Sequence, residues 1–213
     1  MQDLQPLHDA ILNGDAKAAR QLTDQALANG VAALDLVNGA MVPAMTEVGR
    51  RFECEEYFVP DLLLAARAMK AALEPIRPLL AASGAPRVGR VVIGTVKGDL
   101  HEIGKNLVAA MLEGSGFEVY DLGVDVAPER FAAEAKSRDA DIVAMSALLT
   151  TTMNAMRATV QALEAAGLRD RVKILVGGAP ISQKYADDIG ADGFSDNAVA
   201  AVTVARRVLA KAA

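Results

Sequence analysis

The sequence predicts an α/β protein in two parts, an N-terminal four-helix bundle followed by a domain built on a five-stranded parallel sheet. Three observations carry that prediction. Residues 4 to 82 repeat their apolar positions at helical spacing and show no run of alternating β-branched residues. Beyond the stretch Ala82-Ser83-Gly84-Ala85-Pro86, strand-like apolar runs alternate with helical segments. Glycines and polar residues then gather at the ends of those strands, which is where open α/β folds bind ligands.

In the first part, Leu4, Leu7, Ile11 and Leu12 share one face of a short helix that Asn13-Gly14 ends, and Asp15 is placed to cap the next. Asn29-Gly30 closes that second helix. A third, from about Ala32 to Arg51, carries Leu34, Val37, Met41, Met45 and Val48 at helical spacing. A fourth starts near Pro60 and runs through Leu64, Ala68 and Leu73 toward Leu80, with Pro75 and Pro78 predicting a kink or an early stop. Short connections make this a bundle. The linker divides the chain into a helical cap, residues 1–83, and an α/β domain, residues 84–213.

Strands are predicted at residues 88–96, 117–122, 141–146, 172–177 and 192–195, with helices at 103–114, 128–138, 152–166, 180–189 and 197–211. For such an array the default is a flavodoxin-like (Rossmann-type) order, 2-1-3-4-5, which opens a crevice at the carboxyl ends of the first and third strands. His101 follows the first strand, Ser146 ends the third and Gly177-Gly178 ends the fourth, so these residues converge. Gly123-Val124-Asp125, after the second strand, is expected to lie off to one side.

Composition narrows the function. A hydrophobic content of 52% supports a well-buried core, and Cys54, the only cysteine, excludes an internal disulfide. A net charge of -5 with scattered basic residues offers no stripe for nucleic acid. No apolar run approaches the roughly 20 residues that span a bilayer. Met1-Gln2-Asp3-Leu4 is not a basic-then-apolar leader, so a cytoplasmic protein without nucleic-acid or membrane partners is expected.

His101, taken alone, suits a general base, a metal ligand or a loop residue. Asp99 narrows the choice, because a carboxylate two residues away can hold one ring nitrogen and aim the other's lone pair outward, as around metal-ligating histidines. Its plainer role is a helix cap. No conventional metal site can be assembled: His8 falls on the amphipathic first helix, Cys54 has no Cys or His neighbour, and zinc needs three or four ligands. One imidazole suits a metal whose other positions a macrocycle fills. Gly177-Gly178 reads equally well as a turn that ends a strand.

Together, Asp-x-His-x-x-Gly at 99–104, Ser-x-Leu at 146–148 and Gly-Gly at 177–178 resemble the cobalamin-binding domain of corrinoid-dependent methyltransferases. That family includes methylamine, methanol and O-demethylase corrinoid proteins and the cobalamin module of methionine synthase. Leu36 to Ile76 resembles its helical cap. The resemblance implies cobalamin as cofactor, methylcobalamin or a related corrinoid, bound base-off with His101 on cobalt and the nucleotide tail in a slot of the sheet. Cofactor contacts would fall on Gly98, Asp99, His101, Glu102, Ile103 and Gly104, then on Ser146, Leu148, Thr150 and Thr152. Gly177, Gly178, Gly193 and Ala198 would border the base. Gly104 matches a glycine that lets the helix start approach the tail, and Thr152 stands where close relatives have a serine that completes a relay with Asp99 and His101.

In the cap, Phe52 matches a phenylalanine that covers the methyl face, and Val59 stands where leucine is common. Asn38 replaces a frequent glutamate, Met41 and Met45 could also face the cofactor although a Met stripe at helical spacing is more often core, and Glu55 and Glu56 read as solvated loop residues. The cap would act as a movable lid hinged near Gly84 and Pro86.

The resemblance further implies a methyl carrier, a non-catalytic corrinoid subunit with no catalytic residue of its own. It would accept a methyl on Co(I) from a donor-specific methyltransferase and deliver it from methyl-Co(III) to a second methyltransferase acting on tetrahydrofolate or a thiol. A reductive activase would be a further partner. The rival is a cobalamin-dependent sensor or regulatory protein, disfavoured because the sequence shows no helix-turn-helix pattern and no Trp to shield an adenosyl group, and its cap keeps Phe52.

Overall fold

The computed structural model describes residues 3–82 and 88–210. The chain divides into two compact units, Met1–Arg87 with Glu113–Gly116, and Val88–Leu112 with Phe117–Ala213. The expected hinge at Gly84 and Pro86 and the expected boundary at 83/84 lie outside the described residues.

The helical unit runs α1 (Gln5–Leu12), α2 (Ala16–Ala28), α3 (Ala33–Leu36), a π-helical turn (Val37–Met41), α4 (Val42–Glu53), α5 (Val59–Leu73) and α6 (Arg77–Ala82). Asp15 caps α2 by accepting from the Ala18 N–H at 2.9 Å. Gly14, at φ +73°, sits on α5 so closely that a Cβ there would lie 2.6 Å from the Leu64 Cβ.

The third helix is continuous, but the π turn displaces its apolar register. Met41, Met45 and Val48 are buried as the spacing predicts, whereas Leu36 takes the inward position upstream and Leu34 is exposed. A π turn inserts one residue, rotating everything before it away from the α-helical extrapolation. Pro43, just after the turn, has no N–H for the carbonyl four residues back. Leu64 is likewise exposed, because Leu62, Ala65, Ala68, Met69, Ala72 and Leu73 form the buried side of α5. The prolines produce a stop: α5 ends at Leu73 and α6 restarts at Arg77.

The loop after α4 is tied down rather than merely solvated. Glu56 takes hydrogen bonds from Arg50 at 3.2 and 3.3 Å, and Arg50 and Arg51 both reach Glu47. These guanidiniums hold the Glu47 carboxyl down to about 2, hydrogen bonding from Arg50 contributing most.

The second unit alternates β1 (Arg90–Thr95), α7 (Ile103–Gly114), β2 (Glu118–Asp121), α8 (Pro128–Ser137), β3 (Ile142–Ser146), α9 (Met153–Ala165), β4 (Lys173–Gly177), α10 (Gln183–Asp188), β5 (Gly193–Ser195) and α11 (Ala198–Ala210). Its five strands lie in the order β2-β1-β3-β4-β5, all parallel, which is the predicted doubly wound arrangement. Alternate strand residues serve opposite faces. Val92, Val143, Met145, Ile174 and Val176 pack with Phe131 of α8 and Met156 and Val160 of α9. Val91, Ile93, Ile142, Ala144 and Leu175 pack with Leu112 of α7 and Val204 and Val208 of α11. The register pairs Thr95 with Ser146, Ser146 with Gly177 and Gly177 with Ser195, so the strands exit in line and their loops form one rim.

Candidate cofactor site

The rim is organised around Asp99, which is fully buried. Its Oδ1 accepts from the His101 backbone N–H at 3.1 Å and from the imidazole Nδ1 at 2.7 Å. Its Oδ2 accepts from the Leu148 N–H at 2.8 Å, the Leu149 N–H at 3.4 Å and the Thr152 hydroxyl at 2.8 Å. Burial alone would push this carboxyl up; hydrogen bonds from Leu148, from the His101 backbone and ring, and from Thr152 outweigh it and hold Asp99 well below the usual carboxylate range. An ionised Asp99 has no proton to give, so His101 Nδ1 carries the hydrogen and a neutral ring leaves its lone pair on Nε2. The His101 side chain is half exposed, and its backbone carbonyl accepts from the Thr95 hydroxyl at 2.9 Å.

Thr152 keeps a hydroxyl on Asp99, with its proton also in reach of the Leu149 carbonyl at 2.9 Å. The Ser-x-Leu segment contributes to the clamp chiefly through backbone: the Leu148 N–H holds Asp99, while the Ser146 carbonyl accepts from Val96 N–H.

The glycines divide into distinct roles. Gly178, at φ +124°, would place a Cβ 1.9 Å from the Ala147 carbonyl oxygen, so it is demanded by the neighbouring Ser-x-Leu loop. At Gly193 a Cβ would lie 2.5 Å from Val204 Cγ1, which ties that glycine to the packing of α11 on β5. Gly104 is different: it is exposed on the first turn of α7, and a Cβ there would meet nothing within 4 Å, so the protein's own packing does not demand a glycine. Ser146, Gly177 and Gly178 are partly buried on the same rim, Thr150 and Glu102 are exposed, and Ala198 is buried at the start of α11. Phe52, half-buried on the last turn of α4, and Val59, exposed at the start of α5, belong to the helical unit.

Two features were not legible in the motif. Lys105, on the first turn of α7, is buried and paired with Asp121 at the end of β2, and its ammonium also reaches Asn106 Oδ1 at 2.6 Å. Asp125, expected off to one side, instead joins the His101 loop, accepting from the Gly98 N–H at 2.8 Å. In the sequence only Gly123, two residues before Asp125, signalled a special turn there; in the structure Gly123 takes φ +84°.

The site fits a cobalt corrin. Among the described residues no group of three His, Cys, Asp or Glu side chains could hold a metal ion, so an ion at His101 needs its other ligands from elsewhere. Four large apolar side chains stand exposed around Asp99: Leu100, Leu148 and Leu149 on the two loops it joins and Ile103, at 87%, at the start of α7. Exposed apolar groups gathered at a polar anchor suit a flat, largely apolar ligand.

Models of the B12 binding domain match residues 89–203 and 4–76. Fold, anchored imidazole and matched domains define a cobalamin-binding protein. A corrinoid protein of Desulfitobacterium hafniense (strain Y51) is 40% identical over 214 residues, covering 99% of each chain. Trimethylamine corrinoid protein 1 of Methanosarcina acetivorans is 43% identical over 203 residues, covering 94% of each. The methanol:cobalamin methyltransferase complex MtaBC of Methanosarcina barkeri contains a chain that superposes with a TM-score of 0.82 at 28% identity, over 97% of this chain and 79% of that one. The chain belongs to the corrinoid proteins, the family of the trimethylamine and dimethylamine corrinoid proteins. No helix among the described residues is long and apolar enough to cross a membrane.

Proposed function

We propose that this protein is a methyl carrier in which His101 Nε2 is the lower axial ligand of a base-off corrinoid. The observation that supports this most directly is the buried, ionised Asp99 on His101 Nδ1, which leaves Nε2 as a fixed Lewis base beside an apolar rim. The bound corrinoid supplies the cobalt that takes up and releases the methyl group. The chain's own residues bind and orient. Asp99 and Thr152 set the tautomer and basicity of the ligand, and the loops at Gly98 to Gly104, Ser146 to Thr152 and Gly177-Gly178 receive the cofactor's tail, with Gly193 and Ala198 behind them. Phe52 and Val59 of the helical unit shield the methyl face.

The partners in this reading are a donor-specific methyltransferase, a second methyltransferase that methylates tetrahydrofolate or a thiol, and a reductive activase, all in the cytoplasm. The methyl donor is set by the first of these enzymes. The test is electron paramagnetic resonance of the Co(II) form, reconstituted with unlabelled cobalamin in protein carrying either natural or 15N histidine. Labelling should change the nitrogen splitting in the wild type, and His101→Ala should lose that splitting while retaining corrinoid. A spectrum indifferent to the label would refute His101 as the ligand.

A further inference from the structure

The segment that carries His101 is held from a side the motif does not mention. The exit of β2 runs on beside the exit of β1: Gly123 O accepts from Thr95 N–H at 3.0 Å, and Val126 N–H donates to Thr95 O at 3.0 Å. Between them, Asp125 makes contacts on both flanks of Gly98-Asp99. Its carboxylate accepts from the Gly98 N–H at 2.8 Å and from Lys97 Nζ at 3.3 Å, while its own N–H donates to the Asp99 carbonyl at 3.0 Å. Asp125 does this at φ +51°, a left-handed conformation that costs a non-glycine residue energy unless its surroundings impose it.

The consequence is geometric. The Asp99 side chain is fixed by Leu148 and Thr152, but the direction in which its backbone delivers His101 depends on the peptide units at Gly98 and Asp99. Gly98, at φ +83°, is the most pliable point of that loop, and its N–H is the group that the Asp125 carboxylate holds. Without it, Gly98 could turn while the carboxylate of Asp99 stayed in place. We infer that Asp125 is a positioning residue for the cobalt ligand, bracketing Gly98-Asp99 so that the His101 ring is presented in one orientation. The inference rests on His101 being the axial ligand, as proposed above.

The experiment compares wild type with Asp125→Ala, Asp125→Asn and Asp125→Gly, each loaded with cobalamin and reduced to Co(II). It reads the histidine-ligated fraction from 15N-sensitive splitting, and the Co(II)/Co(I) midpoint. Asp125→Ala should lower the ligation equilibrium about tenfold, as changes beside a ligand commonly do, and shift the midpoint, with corrinoid stoichiometry retained. Asp125→Asn should restore most of the ligated fraction, since its amide oxygen can accept from Gly98 N–H and asparagine tolerates this conformation. Asp125→Gly relieves the backbone and folds without strain, yet lacks the acceptor, so it should resemble Asp125→Ala. Ligation and midpoint equal to wild type in both Asp125→Ala and Asp125→Gly, or in Asp125→Gly alone if the alanine variant does not fold, would overturn the inference. Absence of label-sensitive splitting in the wild type would instead remove the ligand assignment on which it stands.

Discussion

Asp99→Asn keeps the size of the side chain and exchanges one acceptor oxygen for an NH2 group among neighbours that are all donors. The amide has two ways to sit. With its NH2 toward the Leu148 side, the Thr152 hydroxyl can turn to accept, but the Leu148 N–H, now 2.8 Å from a nitrogen, loses its partner. With its NH2 toward His101, the ring can change tautomer and accept at Nδ1, but the His101 backbone N–H is stranded. Either way at least one part-buried donor beside the buried carboxylate goes unmet, costing about 1–3 kcal/mol. For a chain of this size that lowers Tm by roughly 2–12 °C. The second arrangement also places the proton on Nε2 and removes the lone pair a metal would use. Thermal melts of the cofactor-free protein give the stability, and 15N NMR of His101 reports the tautomer, expected as Nδ1–H in the wild type. In loaded protein the variant should shift the Co(II)/Co(I) midpoint, with Thr152→Ala giving a smaller shift. Unchanged Tm, tautomer and midpoint in Asp99→Asn would refute the clamp.

Gly178→Ala should destabilise by about 2–6 kcal/mol, combining overlap at the Ala147 carbonyl with a strained φ, whereas Gly104→Ala should melt no lower than wild type but bind corrinoid more weakly; melts and equilibrium binding decide both. Asp121→Asn should cost about 3 kcal/mol in denaturant titrations because it leaves the buried Lys105 ammonium without its counter-charge, while Lys105→Met, which leaves only a half-exposed carboxylate, should cost less. Glu47 titrates at about 2 instead of 4.5, so its contribution is complete above about pH 4.5 and lost as pH falls toward 2. Glu47→Gln should therefore differ from wild type at neutral pH, converge with it in acid, and differ less in high salt. Phe52→Ala should speed photolysis of bound methylcobalamin with affinity little changed; equal photolysis rates would remove Phe52 from the shield.

What the sequence determined by itself is local or periodic. Strand runs such as 91–96 and the caps at Asp15 and Gly14 are short-range matters of backbone preference, legible from neighbours along the chain; the fourth helix was legible as a helix, but not its inward face, since Leu62 is buried and Leu64 exposed. The order β2-β1-β3-β4-β5 follows from the βα alternation, because right-handed crossovers leave few alternatives. Asp99 and His101 were legible as a pair for the same reason, lying two residues apart. Tertiary structure decided what closes on that pair. The Leu148 N–H and the Thr152 hydroxyl come from 49 and 53 residues away, and a backbone N–H leaves no mark in the sequence, since almost any residue at 148 could supply it. Gly178 was visible as a glycine, but its need to be one is set by the Ala147 carbonyl on the neighbouring loop. Leu34 was lost from the core through a one-residue π insertion that periodicity cannot register. Lys105 and Asp125 take their roles from the exit of β2, because burial and long-range hydrogen bonds depend on which strand lies alongside, a relation that exists only once the sheet has formed.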